Sequence, residues 1–553
     1  MDSSTTATRF PMNYLLPRLS ELFFLALFIG VVMLGPRIFN NDGDLGRHIT
    51  IGNYIIDNRT IPTEDIFSHT MAGERLTPHE WLAQVAFALA HRLLGLDGVV
   101  LFSALLIATT FTICYRQCRH RSGLILVSLG FGVLAAATAS LHWLARPHLF
   151  TLLFVVLWVG VLERIRRGET QRWYMLPVLM LFWANTHGAF IAGFVIWGIY
   201  LVGEMGQTWL NPGRDRSPSA GKAVESRDSI AIERSFAPGF KSYLAGGLVS
   251  LAVTSLNPAG LHLWATTFGF LRSRYLVSHT VEYMPPNFHN ISTWPFMLMI
   301  VLSLLLLGFK SGSKSASTQV SVVHILLLSA WTAMGLYSAR NIPIYALLVA
   351  PILAEILGNN LRVGLKSRWF VQFNRRLSTV EASLRGGVWL ILGVIFITLA
   401  LMGGARLDYD KQGNGYDPAV FPVEAVDWLE GNPPEGNGFN YFPWGGYLLY
   451  RSWPERTVFI DGQTDFYGEA LTRQYEQAIT LSGDWEVILD QYQVEWVIMP
   501  TGSALVRALS SDTNWGVVYQ DPTAAIFIKR QPQRSGFIFF RTLIDAKIAD
   551  KHG

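Results

Sequence analysis

Residues 19–48 of the chain read LSELFFLALFIGVVMLGPRIFNNDGDLGRH. The apolar run 19–39 reaches the ~20 residues that cross the ~30 Å hydrocarbon core of a bilayer as a helix. Directly after it, residues 40–48 place two carboxylates, an arginine and an imidazole where this helix would leave the membrane. Charge so close to hydrocarbon is unfavourable unless it is paired or used. The stretch therefore predicts a membrane protein with a polar site at the outer end of its first span.

The whole chain has the composition of a polytopic α-helical membrane protein. Of its 553 residues, 50% are hydrophobic and only 15% are charged, and the mean hydropathy is +0.30. The apolar runs do not alternate with polar residues as barrel strands would. The first run is too long for the apolar core of a signal peptide and lacks a small-residue cleavage site, so we expect an uncleaved span. We predict about eleven spans, near residues 19–39, 97–115, 124–142, 148–163, 173–186, 188–205, 242–257, 294–309, 320–338, 342–357 and 388–405.

The basic loops predict the orientation of the chain. Lysine and arginine concentrate on the cytoplasmic side of membrane proteins, and here they fall in four loops that the predicted spans place on one side, 116–121, 164–172, 206–241 and 358–387. The N-terminus is then cytoplasmic, and the first loop 40–80 and the tail are extracytoplasmic. The tail agrees, because from Leu407 onward it carries 20 acidic and 11 basic residues. We expect a multi-pass protein of the bacterial inner (plasma) membrane, surrounded by membrane lipids.

The sequence divides into a transmembrane domain, 1–406, and a small extracytoplasmic α/β domain, 407–553. In the tail, short apolar runs predict buried strands and longer amphipathic runs predict helices. The strands are expected at 458–460, 496–499 and 524–528, and the helices at 422–429 and 469–481. The sequence contains no Walker loop and no Rossmann fingerprint, so we expect no nucleotide-driven activity and no nucleic-acid partner.

Two further segments combine aromatic and polar residues. The segment 81–94 is apolar on one face and too short to span comfortably, which predicts an interfacial amphipathic helix. In the tail, 443–448 and 459–467 join aromatic side chains with Asp461 and Asp465. That composition suits sugar binding, and it equally suits packing and turn formation within the α/β domain.

The first loop carries the candidate catalytic residues. Asp42 and Asp44 form an Asp-x-Asp pair that could share one Mg²⁺ or Mn²⁺ ion, because these hard cations prefer carboxylate oxygens. Alternatively, one carboxylate could deprotonate an acceptor hydroxyl. The other interpretation is an Asx-type turn and helix cap after the first span. His79 and Glu80 could also take part in the function of this loop, or they could instead begin the helix that follows.

Three later loops bring cations or imidazoles to the predicted outer boundary. Arg146 and His148 follow the third predicted span, Asn185 and His187 lie between two spans, and Arg340 precedes another. Guanidinium and imidazole groups there could hold a phosphate or diphosphate. Snorkelling and interhelical hydrogen bonds are the alternative interpretation. Together with Arg47, His48 and His79 of the first loop, these are the candidate substrate-binding residues.

Taken together, these motifs resemble the GT-C superfamily of polytopic glycosyltransferases, which includes lipid-A aminoarabinose transferases, protein mannosyltransferases and oligosaccharyltransferase catalytic subunits. The aminoarabinose-transferase type has Asp-x-x-Arg and an aromatic in this loop; here Asp44 and Arg47 match, and His48 replaces the aromatic. Nearly the whole chain also looks like a large group of bacterial membrane proteins. The shared motifs are Asp-x-Asp-x-x-x-His, Ile-Pro-x-x-Asp-x-Phe-Ser, Glu-Trp-Leu, Asn-x-His-Gly, Leu-Asn-Pro-x-Gly, Arg-Asn-x-Pro and Trp-Gly-Gly-Tyr-Leu…Phe-Ile-Asp-Gly.

The resemblance implies a glycosyltransferase with a polyprenyl-phosphate sugar donor, an outward active site and inversion at the anomeric carbon. Asp44 would be the general base or a metal ligand, and Arg146 or Arg340 would hold the donor phosphate. The metal-dependent members have a second catalytic acid, for which Glu80 is the best candidate in this sequence. The acceptor would be a lipid or a cell-envelope glycan, since the Trp-Trp-Asp tail motif of oligosaccharyltransferases is missing from the sequence. The alternative is a non-enzymatic lipid-linked glycan transporter or an envelope-assembly subunit. A transporter should carry ionisable groups along both halves of its path, whereas the sequence predicts almost all of them at the outer boundary.

Overall fold

The computed structural model describes residues 16–210, 239–308, 320–363 and 368–530. They divide into two compact units. Unit 1 contains the chain up to Asp65 and again Glu74–Tyr416, and unit 2 contains Ile66–Gly73 and the chain from Asp417 onward. A short piece of the first loop thus belongs to the same unit as the tail, which the sequence analysis did not anticipate.

Unit 1 is helical throughout its described parts, apart from turns and an isolated bridge between Glu64 and Arg75. Its α-helices are α1 (Leu19–Leu34), α2 (Arg37–Asn40), α3 (Leu45–Asn58), α4 (Trp81–Ser122), α5 (Ile125–Ala139), α6 (His148–Arg166), α7 (Met175–Ala184), α8 (Ile191–Leu210), α9 (Phe240–Val253), α10 (His262–Arg272), α11 (Arg274–His279), α12 (Trp294–Gly308), α13 (Val322–Tyr337), α14 (Ile342–Val363), α15 (Arg368–Ser383) and α16 (Val388–Met402).

Within the described residues, six helical segments are long and apolar enough to cross a membrane, or seven if a bent pair forms one span. The bent pair is α15 with α16, at 72°. The six are Trp81–Ser122, Ile125–His142, His148–Arg166, Gly188–Gln207, Ile291–Gly308 and Ala339–Arg362. Four other apolar helices are shorter, namely Leu19–Leu34, Met175–Ala184, Phe240–Leu256 and Val322–Tyr337. The helical membrane architecture is therefore supported, whereas the predicted count of eleven spans is not confirmed.

Backbone breaks explain why some predicted spans are shorter or longer than their helices. The predicted first span ends early because Gly35 adopts φ 54° and is followed by Pro36, so that α1 stops at Leu34. α4 contains non-helical backbone at Leu94 and Gly95. The predicted amphipathic segment 81–94 is therefore the part of α4 that precedes this kink.

α3, which follows Asp44, packs closely on the first part of α4 at a glycine. A Cβ atom added to Gly52 would lie 2.1 Å from the Gln84 carbonyl oxygen and 2.7 Å from the Ala88 Cβ. The helices can approach this closely only because residue 52 has no side chain. This contact fixes the position of α3, whose first turn carries Arg47 and His48.

Unit 2 is a small α/β unit with a four-stranded mixed sheet in the order β1-β2-β4-β3. The β1 and β2 strands are parallel, and β4 runs antiparallel to both β2 and β3. The strands are β1 (Asn437–Asn440), β2 (Val494–Pro500), β3 (Trp515–Gln520) and β4 (Ala524–Lys529). The helices are α17 (Val423–Gly431), α18 (Gly445–Ser452), α19 (Thr464–Thr480), α20 (Trp485–Gln491) and α21 (Ala504–Ser511).

Two of the three predicted tail strands and both predicted tail helices are confirmed, by β2, β4, α17 and α19. The strand predicted at 458–460 is wrong, because this buried segment makes only an isolated bridge, between Val458 and Ser68. The Asn440 side chain takes the place of a neighbouring strand: its Oδ1 accepts from the Phe459 amide at 2.8 Å, and its Nδ2 donates to the Ile460 carbonyl at 2.8 Å.

The aromatic tail motifs lie inside unit 2. Trp444, Tyr447 and Phe459 are buried, as is Asp461. The Trp444 indole donates to the Val420 carbonyl at 2.8 Å, and the Asp461 carboxylate accepts from the Gln463 amide at 2.8 Å. These contacts correspond to the packing and turn interpretation of both segments.

We predict that Gly52→Ala lowers the free energy of unfolding by about 1–3 kcal/mol, because the added methyl group overpacks the α3–α4 contact. Thermal unfolding of the purified protein in detergent measures the effect. Gly130→Ala in α5 is the matched control, since a Cβ there meets nothing within 4 Å. Equal midpoints for the two variants would contradict a close approach of α3 and α4.

Candidate active site

The two aspartates of the first loop lie in the turn between α2 and α3. The Asp44 amide donates to Asp42 Oδ1 at 3.1 Å, which is the hydrogen bond of an Asx turn. Asp44 occupies the position that precedes α3, yet its side chain makes no capping hydrogen bond to this helix. The turn interpretation thus holds for the backbone, and the Asp44 carboxylate is directed elsewhere.

Both aspartates meet the guanidinium group of Arg146, which precedes α6. Arg146 Nε lies 2.8 Å from Asp42 Oδ2, and its Nη2 donates to Asp44 Oδ2. Its Nη1 donates to a third carboxylate, that of Glu282 in the 3₁₀ turn Val281–Tyr283. One cation therefore holds carboxylates from two separate loops.

Glu282 also connects Arg146 to Arg340. Its Oε2 lies 3.5 Å from Arg340 Nη1. Arg340 in turn donates to the Tyr283 hydroxyl at 3.1 Å and lies 5.0 Å from the centre of that ring. We call Asp42, Asp44, Arg146, Glu282 and Arg340 the Arg146 cluster. Sequence reasoning missed Glu282 and Tyr283, whose one signal is an acid in the largely apolar segment 281–286.

A second group of site residues surrounds Glu80. Its carboxylate oxygens lie 3.6 Å from Arg47 Nη2, 3.8 Å from His48 Nδ1 and 3.9 Å from both His79 Nε2 and His187 Nε2. We call these five residues the Glu80 group. Glu80 immediately precedes α4 and Arg47 and His48 lie in the first turn of α3, so the α3–α4 packing holds the group together.

His187 joins the two groups. Its Nε2 lies 3.2 Å from Arg340 Nη2, and its Nδ1 lies 2.9 Å from the Thr151 hydroxyl. Because a guanidinium can only donate, Nε2 of the neutral imidazole must be the acceptor. In that tautomer Nδ1 carries the proton and donates to Thr151 Oγ1, which also accepts from the Trp183 indole at 2.8 Å, and Nδ1 cannot at the same time accept from the Ala189 amide, which lies 3.4 Å away. Thr151 and Trp183 thus orient His187, and through it Arg340.

Two predicted site residues, His148 and Asn185, lie beside these groups and make hydrogen bonds that support the surrounding structure. His148 Nε2 lies 2.7 Å from the His142 carbonyl oxygen, and its ring lies 6.5 Å from that of His187. Asn185 accepts from the Trp81 indole at 2.7 Å and from Asn257 Nδ2 at 3.2 Å. Asn185 therefore ties the start of α4 to the end of α7 and to the turn at Asn257.

Burial and neighbouring charges shift the pKa values of these groups in different directions. Burial raises the pKa of the Asp42 carboxyl to about 7, against the opposing effect of Arg146. Burial also acts to raise the pKa of Glu282, but the Arg146 and Arg340 charges outweigh it and lower this pKa to about 2. The pKa values of the His48 and His187 imidazoles are lowered by burial and by adjacent arginines. The site thus combines a carboxyl whose pKa is raised toward neutral pH with imidazoles whose pKa values are lowered.

The Asp42–Asp44 pair does not fit a divalent cation in this arrangement. Both carboxylates direct an oxygen to the Arg146 guanidinium, which already supplies a positive charge and hydrogen-bond donors there. A Mg²⁺ or Mn²⁺ ion between them would lie against that cation. Within the described residues, three or more ligand residues close enough to share a metal ion occur in one group, Glu163, His324 and Glu355, at the opposite end of α6.

That second group belongs to a buried charge cluster that sequence reasoning did not anticipate. The Glu163 carboxylate accepts from Arg166 at 2.6 Å, from Arg167 at 2.8 Å and from the Tyr200 hydroxyl at 3.1 Å. Its other contacts are with Arg121 at 3.8 Å and His324 at 3.4 Å, and Arg167 also pairs with Glu355 at 2.8 Å. We call these six charged and imidazole residues the Glu163 cluster. Because arginine donors engage the Glu163 oxygens, the cluster ties helix ends together and offers a metal little access.

Comparison with known proteins supports the fold. No family model matches the chain, and no curated protein matches it significantly. Its structure is similar to that of the oligosaccharyltransferase of Archaeoglobus fulgidus in the apo form, with TM-score 0.52 and 11% identity over 87% of this chain and 69% of that one. ArnT from Cupriavidus metallidurans bound to undecaprenyl phosphate matches at TM-score 0.49 and 14% identity, over 93% and 99%.

Both matched proteins are GT-C glycosyltransferases. At 11% identity, the similarity to the oligosaccharyltransferase concerns the fold alone. The similarity agrees, at the level of the fold, with the resemblance that the sequence motifs show.

We predict that Arg146→Gln lowers the free energy of unfolding at neutral pH by about 3 kcal/mol, since the buried Asp44 and the partly buried Asp42 and Glu282 lose their shared cation. Those carboxyls then bind protons more tightly in the folded than in the unfolded protein, so the stability of the variant should rise as the pH falls from 8 to 5. In the wild type, the raised pKa of Asp42, about 7, already acts in this sense, whereas Glu282 acts in the opposite sense: its contribution is present above its ordinary pKa of 4.5 and is lost as the pH falls toward about 2. The variant should therefore gain more stability between pH 8 and pH 5 than the wild type does.

Thermal unfolding at a series of pH values measures this difference. Arg92→Gln is the control, because Arg92 pairs with the exposed Asp57 at 2.6 Å outside the site. A loss of stability in Arg146→Gln that is the same at pH 5 and pH 8 would contradict the ion pairing described for Arg146.

Proposed function

We propose that the protein is a membrane glycosyltransferase. It moves a sugar from a polyprenyl-phosphate-linked donor to a lipid or cell-envelope glycan acceptor, at the outer face of a bacterial inner membrane. The observation that carries this proposal is the Arg146 cluster, in which a proton-accepting Asp pair and two guanidinium groups converge at the ends of apolar helices. The GT-C fold agrees with it, although a fold by itself does not fix the chemistry.

The residues can be given distinct roles in this reaction. A carboxylate of the Asp42–Asp44 pair accepts the proton of the acceptor hydroxyl while its oxygen bonds to the anomeric carbon. The bond between that carbon and the donor phosphate oxygen breaks, and the phosphate leaves with the electron pair. Arg340, oriented by His187, stabilises the charge that develops on this phosphate. Asp44 is our first candidate for the base, and the pKa of about 7 makes Asp42 the second.

Glu282 has a role that follows from its contacts. Its two carboxylate oxygens bridge Arg146 and Arg340, which is the arrangement that two oxygens of a phosphate would adopt between the same guanidinium groups. We infer that Glu282 occupies the position of the donor phosphate and is displaced when the donor binds. Displacement would also remove one of the three carboxylates that contact Arg146, so that donor binding changes the partners of the cation that holds the Asp pair.

The rival function, a lipid-linked glycan transporter or an assembly subunit, has one observation in its favour. Ionisable residues were expected almost entirely at one boundary, and the Glu163 cluster shows that this expectation is wrong. Its contacts join α4, α6, α13 and α14, and its charges are paired with one another. Such mutual pairing indicates a structural role, which leaves the enzyme as the favoured function.

We predict that membranes containing the wild type transfer radiolabelled sugar from a polyprenyl-phosphate donor, and that Asp44→Asn lowers the rate at least about a hundred-fold by removing the base. Asp57→Asn is the matched control, because Asp57 lies at the far end of α3, is exposed and pairs with Arg92. Both variants are compared at equal amounts of folded protein. Since the Asp pair contacts Arg146, we expect transfer to continue in EDTA.

Each contrary outcome points to a specific revision. Equal transfer by wild type and Asp44→Asn would remove Asp44 from the chemistry and direct attention to Asp42 and Glu80. Transfer abolished by EDTA and restored by Mg²⁺ or Mn²⁺ would show that Arg146 moves and a metal replaces it. No transfer from any polyprenyl-phosphate donor would favour the transporter or assembly function.

We predict that Glu282→Gln lowers the KM for the donor about five-fold while kcat changes little, because the neutral amide no longer competes with the phosphate for Arg146 and Arg340. Steady-state kinetics at varied donor concentration and saturating acceptor measure both constants. Asp57→Asn again serves as the control. An increase in KM would show instead that the negative charge of Glu282 is needed to hold the two arginines in place.

A further inference from the structure

α15 differs in character from the helices around it. It contains Arg368, Arg375 and Arg376, and it bends by 72° into α16, whose fifteen residues carry no charge. If α16 runs across the bilayer, a helix at this angle to it lies close to the plane of the membrane. The two helices are separated by only a few residues, so the bend fixes α15 near the level at which α16 leaves the hydrocarbon.

One side of α15 packs against the rest of the protein. Val371, Asn374 and Glu381 are buried. The Asn374 side-chain oxygen accepts from the Leu126 amide at 3.0 Å, at the start of α5, and Glu381 pairs with Arg119 near the end of α4. These contacts fix the rotation of α15 about its own axis, and they therefore determine which of its residues face away from the protein.

A second side presents large apolar residues that the protein leaves exposed. Trp369 is 75% exposed, Phe373 45% and Val380 58%. At 3.6 residues per turn, these positions fall within roughly 40° of one another around the helix. The Trp369 and Phe373 rings stack, with centroids 5.9 Å apart and an angle of 14° between their planes. They form a continuous apolar edge of the kind that in-plane helices insert into lipid.

A third side carries the basic residues. Arg368 and Arg375 are exposed and lie on the same side of the helix, and Arg376 lies between them and the apolar edge. None of the described carboxylates lies within ion-pair distance of these three arginines. Their charge is therefore available to a ligand that lies just beyond the apolar edge.

We propose that α15 is an in-plane anchor that binds anionic phospholipid in the leaflet it faces. The apolar edge enters the acyl-chain boundary, and Arg368, Arg375 and Arg376 contact the phosphate groups of the lipid headgroups. Three observations together point to lipid: the angle between α15 and α16, the exposed aromatic edge, and unneutralised arginines beside it. The proposal does not depend on the enzymatic function proposed above.

The test uses an environment-sensitive bimane fluorophore attached to Phe373→Cys or Gln372→Cys in the full-length protein. Cys114 and Cys118 are buried, so the protein without an added cysteine measures background labelling. Residue 372 is exposed and lies about 100° around the helix from residue 373, which makes it the matched control. The labelled proteins are reconstituted into vesicles of phosphatidylcholine that contain either brominated phosphatidylcholine or brominated phosphatidylglycerol.

We expect brominated chains to quench the fluorophore at residue 373 at least twice as strongly as at residue 372. We also expect brominated phosphatidylglycerol to quench residue 373 more strongly than brominated phosphatidylcholine. Arg368→Gln with Arg375→Gln should reduce this preference, by up to about five-fold for each arginine. Equal quenching at the two positions would overturn the in-plane anchor. Equal quenching by the two lipids, or a preference unchanged in the double variant, would overturn the binding of anionic lipid.

Discussion

The candidate site depends on one largely buried ion-pair arrangement, in which Arg146 holds Asp42, Asp44 and Glu282. Three carboxylates brought together without a cation would repel one another strongly in a medium of low dielectric constant. With Arg146 in place, the first loop is attached to the start of α6 and to the 3₁₀ turn Val281–Tyr283. Arg340 and His187 extend the arrangement to two further helix ends. The same contacts that close the fold at this end therefore also assemble the chemical groups of the candidate active site.

Most of the candidate site could be predicted from sequence because its residues interrupt apolar runs. Asp42, Asp44, Arg146, His187 and Arg340 each stand at the end of a segment that is otherwise suited to lipid. A polar residue in that position is conspicuous, and alternate loops of a helical bundle meet on the same side. Their proximity followed from topology, whereas their partners did not. That Arg146 would occupy the Asp pair depends on side-chain packing between loops about a hundred residues apart.

The features that could not be predicted from the sequence also have physical explanations. Glu282 lies in a short 3₁₀ turn outside any strongly periodic segment, so nothing in the local pattern marks it. The Glu163 cluster was hidden because its arginines resemble the ordinary basic ends of spans, and only the folded bundle shows that they turn inward. In unit 2, the apolar run 458–460 has the composition of a strand, but the amide of Asn440 satisfies its backbone in place of a ladder. The apolar composition of a segment indicates that it is buried, but it does not show which group supplies the hydrogen bonds of its backbone.

The Arg146 cluster and the Glu163 cluster lie at opposite ends of α6, so the distance between them can be compared with the thickness of a bilayer. Between His148, beside the Arg146 cluster, and Glu163, α6 rises roughly 22 Å at 1.5 Å per residue, whereas the hydrocarbon core of a typical bilayer is about 30 Å thick. The shortfall is a hydrophobic mismatch, which a bilayer accommodates by thinning around the protein or by drawing polar headgroups and water toward the helix ends. In either case the Arg146 cluster would lie at the depth of the glycerol and phosphate groups of a lipid leaflet. A substrate anchored by a lipid chain would reach it by lateral diffusion, without leaving the membrane.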